Sequence, residues 1–224
     1  MIPLRDNVPT RTAPIITATL VVVNILVFVW SLTLPGGSER RLINTYAFVP
    51  RDLLLSLGSR LDLLPYNVLT IFTSMFLHGG VLHVGGNMLY LWIFGNNVED
   101  SAGHVRFLAF YLCSGLAACG AQFSYDPSSA VPMIGASGAV SGILGAYLLL
   151  FPWARVKTLI FILLFITTVD IPAVILLSAW FFMQIAFSQG RGVAWFAHIG
   201  GFIFGLVTIK VFMVGKGHRA GARR

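Results

Sequence analysis

A serine and a histidine stand at the beginnings of two apolar stretches of this sequence. Ser137 follows a short glycine-containing segment and opens one stretch, and His198 lies near the start of another. A histidine in so apolar a setting is costly to bury, by about 2.5 to 3.5 kcal/mol for an ionisable group in a membrane, and so indicates a functional site. An imidazole in hydrogen-bond reach of a serine can activate its hydroxyl as a nucleophile. Ser137 and His198 are therefore the candidate nucleophile and base.

His83 and Asn87 form a second candidate pair. They are four residues apart, so on a helix they share one face. Attack of a serine on a carbonyl creates an oxyanion, and an asparagine amide, an imidazole N–H and the backbone N–H of the nucleophile can stabilise it. The structural alternative is that Asn87 bonds a neighbouring helix and His83 caps a loop. His78 precedes this pair, and we expect it to organise the loop before it.

The composition places these residues in a membrane. Hydrophobic residues make up 57% of the 224 residues, charged residues only 10%, and the mean hydropathy is +0.84. A soluble domain cannot bury so much apolar surface. Crossing about 30 Å of hydrocarbon takes about 20 apolar residues. We predict an all-α polytopic membrane protein whose residues 15–214 form a bundle of six spanning helices, at 15–34, 82–98, 107–123, 134–151, 171–187 and 195–214.

The basic residues predict the orientation of this bundle. With the N-terminus inside, ten of the 15 Lys and Arg residues fall on the cytoplasmic side. They are Arg5, Arg11, Arg106, Arg155, Lys157, Lys210, Lys216, Arg219, Arg223 and Arg224. We therefore expect residues 1–14 to be a cytoplasmic segment, residues 215–224 to be a basic cytoplasmic tail against anionic lipid, and the protein to lie in the cell membrane. The net charge of +7 is then explained by topology, and no nucleic-acid partner is expected.

Two segments do not fit simple spans. Residues 35–80 separate the first two helices by about twice the length of an ordinary loop, and their leucines and aromatics predict that they fold onto the outer leaflet. Residues 158–167 are apolar but short, which leaves open an interfacial piece or the start of a longer fifth helix bent near Pro172. Cys113 and Cys119 are expected to be packing residues on one helix, on different faces.

The direction of the helices brings the candidate residues together. The second, fourth and sixth helices run the same way, so His83, Ser137 and His198 come to a similar depth. Below them, small residues recur on the faces of the fourth and sixth helices, at Ser141 and Gly145 and at Gly201 and Gly205. Such stripes let two backbones approach closely. We expect the fourth and sixth helices to pack through them, with Phe202 on the lipid-facing side.

These residues resemble the rhomboid family of intramembrane serine proteases. The resemblance rests on Gly135-Ala136-Ser137-Gly138, on His83 with Asn87, on Ala197-His198-Ile199-Gly200-Gly201 and on the helix-packing residues Gly95, Glu99 and Gly103. It implies a six-helix bundle with a long loop between helices 1 and 2, Ser137 as nucleophile, His198 as general base and acid, and an oxyanion hole made by Asn87, His83 and the Ser137 N–H. The implied substrates are transmembrane helices of other membrane proteins, cut near the outer surface.

Two positions depart from the family pattern. The Trp-Arg pair of many members falls at Leu69-Thr70 here, and the tyrosine that some members stack on the catalytic histidine is replaced by Ser141. Another side chain must then orient His198. Since no acidic residue falls at a suitable depth, a dyad is expected and not a triad.

Two other functions compete with proteolysis. One is a catalytically silent rhomboid-like protein that binds membrane substrates, which the intact Ser137 and His198 disfavour. The other is a metal-binding membrane protein that uses His78, His83 and His198, which the lack of a nearby cysteine or carboxylate ligand disfavours. Without CxxC, HExxH or a phosphate-binding glycine loop, we expect no metal and no cofactor.

Overall fold

A computed structural model describes residues 1–36, 38–162, 165–186 and 194–213. The order of elements in these ranges is one strand, seven α-helices, two strands and two α-helices, with short 3-10 turns at Leu61–Leu63 and Ser74–Phe76 on either side of the fourth α-helix. The bounds are β1 Ile2–Asp6, α1 Ile15–Leu32, α2 Ser38–Tyr46, α3 Pro50–Gly58, α4 Leu64–Thr73, α5 Val81–Ala102, α6 His104–Tyr125, α7 Ser137–Leu150, β2 Arg155–Ile162, β3 Phe165–Pro172, α8 Ala173–Ala186 and α9 Trp195–Phe212.

Each of the six predicted spans falls on one helix: α1, α5, α6, α7, α8 and α9. By length and composition, α1, α6 and α9 are each long and apolar enough to cross a membrane alone. Residues Leu61–Phe76 and α5 meet this criterion only together, and they are bent by 85° relative to each other, as in a broken span or a re-entrant loop. The helices α7 and α8 are apolar but only 14 residues long. At about 1.5 Å per residue they extend about 21 Å, less than the hydrocarbon thickness.

A small antiparallel sheet accompanies the helices, in the order β1-β2-β3. Its strands include residues 158–162 and 165–167 of the segment where we predicted an interfacial piece or the start of a bent helix, so the helical alternative is wrong for these residues. The reason is an alternation of β-branched residues that pairs with the N-terminal strand: Val156 and Thr158 are fully buried, and β1 pairs with β2 from Ile2 to Asp6. The fifth helix begins only at Ala173, after Pro172.

The residues between α1 and α5 are largely helical and pack on the bundle. Phe48 and Ile71 are buried against Cys119, which agrees with a packing role for that cysteine. Phe48 also exchanges two backbone hydrogen bonds with Met133, of 2.8 and 3.2 Å. The segment before α7 is thereby held by the long loop, close to Ser137.

The centre of the bundle is α7. Its residues 139–147 are all buried, as expected for a helix that is apolar all round. A Cβ added to Gly201 would collide with the backbone oxygen of Gly138, and one added to Gly205 would collide with that of Gly142. The predicted contact of the fourth and sixth helices through small residues is therefore present in the structure, between α7 and α9.

A buried carboxylate holds the other end of the bundle. The Glu99 side chain, fully buried, accepts hydrogen bonds from the backbone N–H of Ile16 (2.9 Å) and Thr17 (2.8 Å) and from the Thr17 hydroxyl (2.6 Å). His104 Nδ1 lies 2.5 Å from a Glu99 oxygen. The α1 N-terminus has no acidic residue of its own in its first turn, so Glu99 supplies the negative charge that a helix N-terminus favours.

Two glycines complete this contact. A Cβ at Gly95 would lie 3.3 Å from the Thr17 side chain, so the glycine lets α1 approach α5 closely. Gly103 has a φ of +87°, a conformation that L side chains rarely adopt, and it forms the turn between α5 and α6. Gly95, Glu99 and Gly103 thus share one helix–helix junction.

The N-terminal strand is joined to the same end. Asp6 accepts a hydrogen bond from Asn97 Nδ2 (2.5 Å) and another from the Tyr147 hydroxyl. Burial raises the pKa of this carboxyl. Asp6 therefore connects the sheet to both α5 and α7.

Candidate active site

Ser137 and His198 are brought together by α7 and α9. Ser137 is the first residue of α7, and His198 lies in the first turn of α9. The distance between Ser137 Oγ and His198 Nε2 is 2.9 Å, within the range in which a base can take a hydroxyl proton. The close contact at Gly201, one turn further along α9, allows this approach.

A third side chain, from α8, completes this pair. Gln184 Oε1 lies 2.8 Å from His198 Nδ1, and Gln184 Nε2 donates to the Trp180 carbonyl at 3.3 Å. The amide oxygen can only accept, so Nδ1 carries the proton and Nε2 is left as the acceptor for Ser137. This is the tautomer that a general base requires. Sequence reasoning did not identify Gln184, although it is the single side-chain amide in the apolar helix α8.

Aromatic rings surround the imidazole of His198. The rings of Trp180 and Trp195 have their centroids 6.2 and 6.1 Å from it. Phe202, which we placed on the lipid-facing side, is only 3% exposed. It stacks on Phe181 at 4.6 Å, so that expectation is wrong. The neighbours that bury Phe202 come from α8, whose position a single helical pattern does not reveal.

His83 and Asn87 face the segment just before Ser137. The Gly79 N–H donates to His83 Nδ1 at 3.4 Å, which leaves His83 Nε2 as a donor. A Cβ at Gly135 would lie 2.6 Å from that Nε2 atom and 3.5 Å from Asn87 Nδ2. Gly135 has a φ of +114°, so both the conformation and the space require glycine. Two side-chain N–H groups are thereby directed at the start of α7.

His78 orients Asn87, which differs from the loop-organising role that we expected for it. Its Nε2 atom lies 3.0 Å from Asn87 Nδ2 and 3.4 Å from the Ala136 N–H. Both partners are donors, so His78 must be neutral to accept them.

An open cavity of about 760 Å³ adjoins all of these groups. Its lining includes His83, Asn87, Ser137, Trp180, Gln184 and His198. A volume of this size accommodates a short peptide segment, and the first N–H groups of α7 are available because a helix cannot use them itself. The arrangement combines a nucleophile, a base and several N–H donors around one space.

The three histidines of the metal-binding hypothesis do not form a ligand set. Among residues 1–36, 38–162, 165–186 and 194–213, no group of three or more His, Cys, Asp or Glu side chains is placed to hold a metal ion. His198 instead directs both ring nitrogens at protein partners, Ser137 and Gln184.

The sequence profile of the rhomboid family, described as the Rhomboid domain, matches residues 65–214. The chain belongs to the rhomboid family. The matched residues contain α5 to α9 and all the side chains of the site, from His78 to His198. Helices α1 to α3 and the strand β1 precede the match.

Several rhomboid proteins are similar to this chain over the same region. It is 32% identical over 153 residues to rhomboid protein 1, mitochondrial, of Saccharomyces cerevisiae, which covers 62% of this chain and 40% of that protein. It is 34% identical over 154 residues to RHOMBOID-like protein 1 of Arabidopsis thaliana, a match that covers 66% of this chain and 36% of that protein. It is 32% identical over 155 residues to rhomboid protease GluP of Bacillus subtilis, a match that covers 68% of this chain and 28% of that protein. The matches thus span between 28% and 40% of these relatives.

Proposed function

We propose that this rhomboid-family member is an intramembrane serine endopeptidase that cleaves transmembrane segments of other membrane proteins. The observation that carries the proposal is the 2.9 Å contact between Ser137 Oγ and His198 Nε2, made inside a cavity that a peptide can enter. The similarity to GluP, which is named a rhomboid protease, supports it.

The first half of the reaction forms an acyl-enzyme. Ser137 Oγ attacks the carbonyl carbon of the scissile bond while its proton moves to His198 Nε2. The imidazolium that results keeps its Nδ1–H bonded to Gln184. When the tetrahedral intermediate collapses, His198 gives the Nε2 proton to the leaving nitrogen, and the C–N bond breaks.

The negative charge of the intermediate falls on the former carbonyl oxygen. Asn87 Nδ2, His83 Nε2 and the backbone N–H of Ser137 are the donors for it, since they are positioned before the substrate arrives. The neutral His78 holds the Asn87 amide in this orientation.

The second half releases the acyl group by hydrolysis. Water from the open cavity gives its proton to His198 and attacks the ester carbon, and His198 returns a proton to Ser137 Oγ. The same donors stabilise the second oxyanion.

We expect the substrate to be a helix of another membrane protein, cut near the membrane surface, because Ser137 stands at the head of the apolar helix α7 and lines the open cavity. A peptide bond in a helix is shielded by its own hydrogen bonds, so a segment with helix-breaking residues unwinds more easily into the cavity. We place the protein in the cell membrane with both termini in the cytoplasm, in accordance with the basic residues. The basic tail 215–224 lies outside the described residues.

The test is cleavage of a reporter transmembrane substrate by the purified protein in liposomes. Wild type is expected to give two fragments, and Ser137→Ala none. A correctly folded wild type that binds the reporter without cutting any reporter of varied sequence would instead identify a catalytically silent rhomboid-like protein.

A further inference from the structure

A buried amide on α8 touches the imidazole on the side away from the nucleophile. Gln184 is 7% exposed, and its Oε1 atom lies 2.8 Å from His198 Nδ1. We propose that Gln184 is a positioning residue of the reaction, which fixes the tautomer and the ring plane of His198. The inference rests on the proposed function, since it assigns how the base of that reaction is held.

The amide itself has only one useful orientation. With Oε1 toward His198, the Nε2 group donates to the Trp180 carbonyl on the preceding turn of the same helix, at 3.3 Å. With the amide reversed, an N–H would face the Nδ1–H, and the oxygen would face a carbonyl. The Trp180 bond therefore selects the orientation in which Gln184 accepts.

An amide suits this position better than a carboxylate in one respect. A carboxylate at membrane depth carries a large desolvation cost, whereas an amide with both ends bonded does not. In serine proteases with an aspartate, the acid both orients the histidine and stabilises the imidazolium. Gln184 supplies the orientation through a neutral dipole, so His198 remains an uncharged base before substrate binds.

Among the described residues that line the cavity, two other side chains are titratable, His83 and Tyr90, and both belong to α5. The remaining close partners of the imidazole are Ser137 and the rings of Trp180 and Trp195. Substitution at Gln184 therefore changes the only polar side chain that the described structure shows at His198 Nδ1.

Two variants test the role in liposomes with the reporter substrate. Gln184→Met keeps the volume and removes the acceptor, and we expect kcat to fall by about 10- to 100-fold with KM nearly unchanged, as for a small misplacement of a catalytic group. The rate of labelling by a fluorophosphonate, which needs no transmembrane substrate, should fall in proportion. Met183→Leu, at a 42% exposed position on the same helix, is the matched control and should equal wild type.

Gln184→Glu keeps the acceptor and adds charge. A carboxylate beside the ring stabilises its protonated form, so the acidic limb of the kcat/KM profile should move to higher pH by at least about one unit, with activity recovered at alkaline pH. A purely structural role for Gln184 predicts an unchanged limb.

A third measurement uses the wild type alone. Nitrogen NMR of ¹⁵N-histidine-labelled protein, assigned with His198→Ala, should show the Nδ1–H tautomer for the neutral His198. The Nε2–H tautomer would overturn the proposal even if both variants failed to fold, and so would wild-type rates in Gln184→Met with an unmoved acidic limb in Gln184→Glu. A wild type that neither cuts nor labels would refute the proposed function instead, while the tautomer would still report on Gln184.

Discussion

Two polar clusters lie at opposite ends of the helices and use similar side chains differently. The anchor cluster (Thr17, Glu99 and His104) joins α1, α5 and α6, and its carboxylate accepts from four donor atoms of the protein. The dyad cluster (Ser137, Gln184 and His198) joins α7, α8 and α9 beside a cavity of about 760 Å³.

The difference lies in what remains for a ligand. In the anchor cluster, every hydrogen bond described for the Glu99 carboxylate goes to the start of α1 or to His104, so Glu99 contributes to stability. In the dyad cluster, hydrogen bonds run from Gln184 to His198 and from His198 to Ser137, whose hydroxyl lies beside the open cavity. A buried polar group in a membrane indicates function by default, but satisfied partners on every side indicate a structural role.

The largest expected effects are a loss of activity from a change in the dyad cluster and a loss of stability from a change in the anchor cluster. His198→Ala should lower kcat by about 10⁴-fold or more, because members of such a unit cannot replace one another, while the thermal unfolding midpoint in detergent stays near that of wild type.

Glu99→Ala should lower the free energy of unfolding by about 3 to 5 kcal/mol, because it leaves buried donors without an acceptor. Glu39→Ala, at an exposed acid, is the control. A stable Glu99→Ala protein would end the distinction between the clusters.

The donors of the proposed oxyanion hole come next. Asn87→Ala should lower kcat by about 10² to 10³-fold and leave KM nearly intact, because the oxyanion exists only in the transition state and the intermediate. Steady-state kinetics with the reporter substrate measures both constants. A rise in KM alone would assign Asn87 to substrate binding.

The seam between α7 and α9 should show a somewhat smaller effect. Gly201→Ala places a methyl group against the Gly138 backbone oxygen, so α9 must move away from α7 and carry His198 with it. A shift of about 1 Å can lower the rate by about 10²-fold. Gly120→Ala adds the same methyl group where nothing lies within 4 Å, and it should be silent. Equal activity of the two variants would show that the seam does not position the dyad.

Much of this arrangement follows from the sequence, for a physical reason. Apolar runs locate the helices because a helix surrounded by lipid must be apolar, although α7 and α8 are shorter than a full span. Small residues locate the contact between α7 and α9 because only they allow close approach. His83, Ser137 and His198 are predicted from their positions near helix starts, and Asn87 is predicted from its spacing of four residues to His83.

Other features depend on contacts between distant segments. The β2–β3 hairpin lies within residues 155–172, but the third strand of the sheet, β1, comes from the N-terminus, and its pairing with β2 cannot be read from that segment alone. The role of Gln184 can be inferred only when α8 is placed beside α9, because a single glutamine in an apolar helix is equally suited to ordinary packing. The same placement buries Phe202.

The central claim is that His198 activates Ser137 as a nucleophile, and covalent labelling tests it most directly. The folded wild type, treated with a fluorophosphonate and mapped by mass spectrometry, should carry one adduct, on Ser137. Ser137→Ala should carry none, and His198→Ala should react at least about 10²-fold more slowly. A wild type that remains unlabelled, or an adduct that persists in Ser137→Ala, would contradict the account.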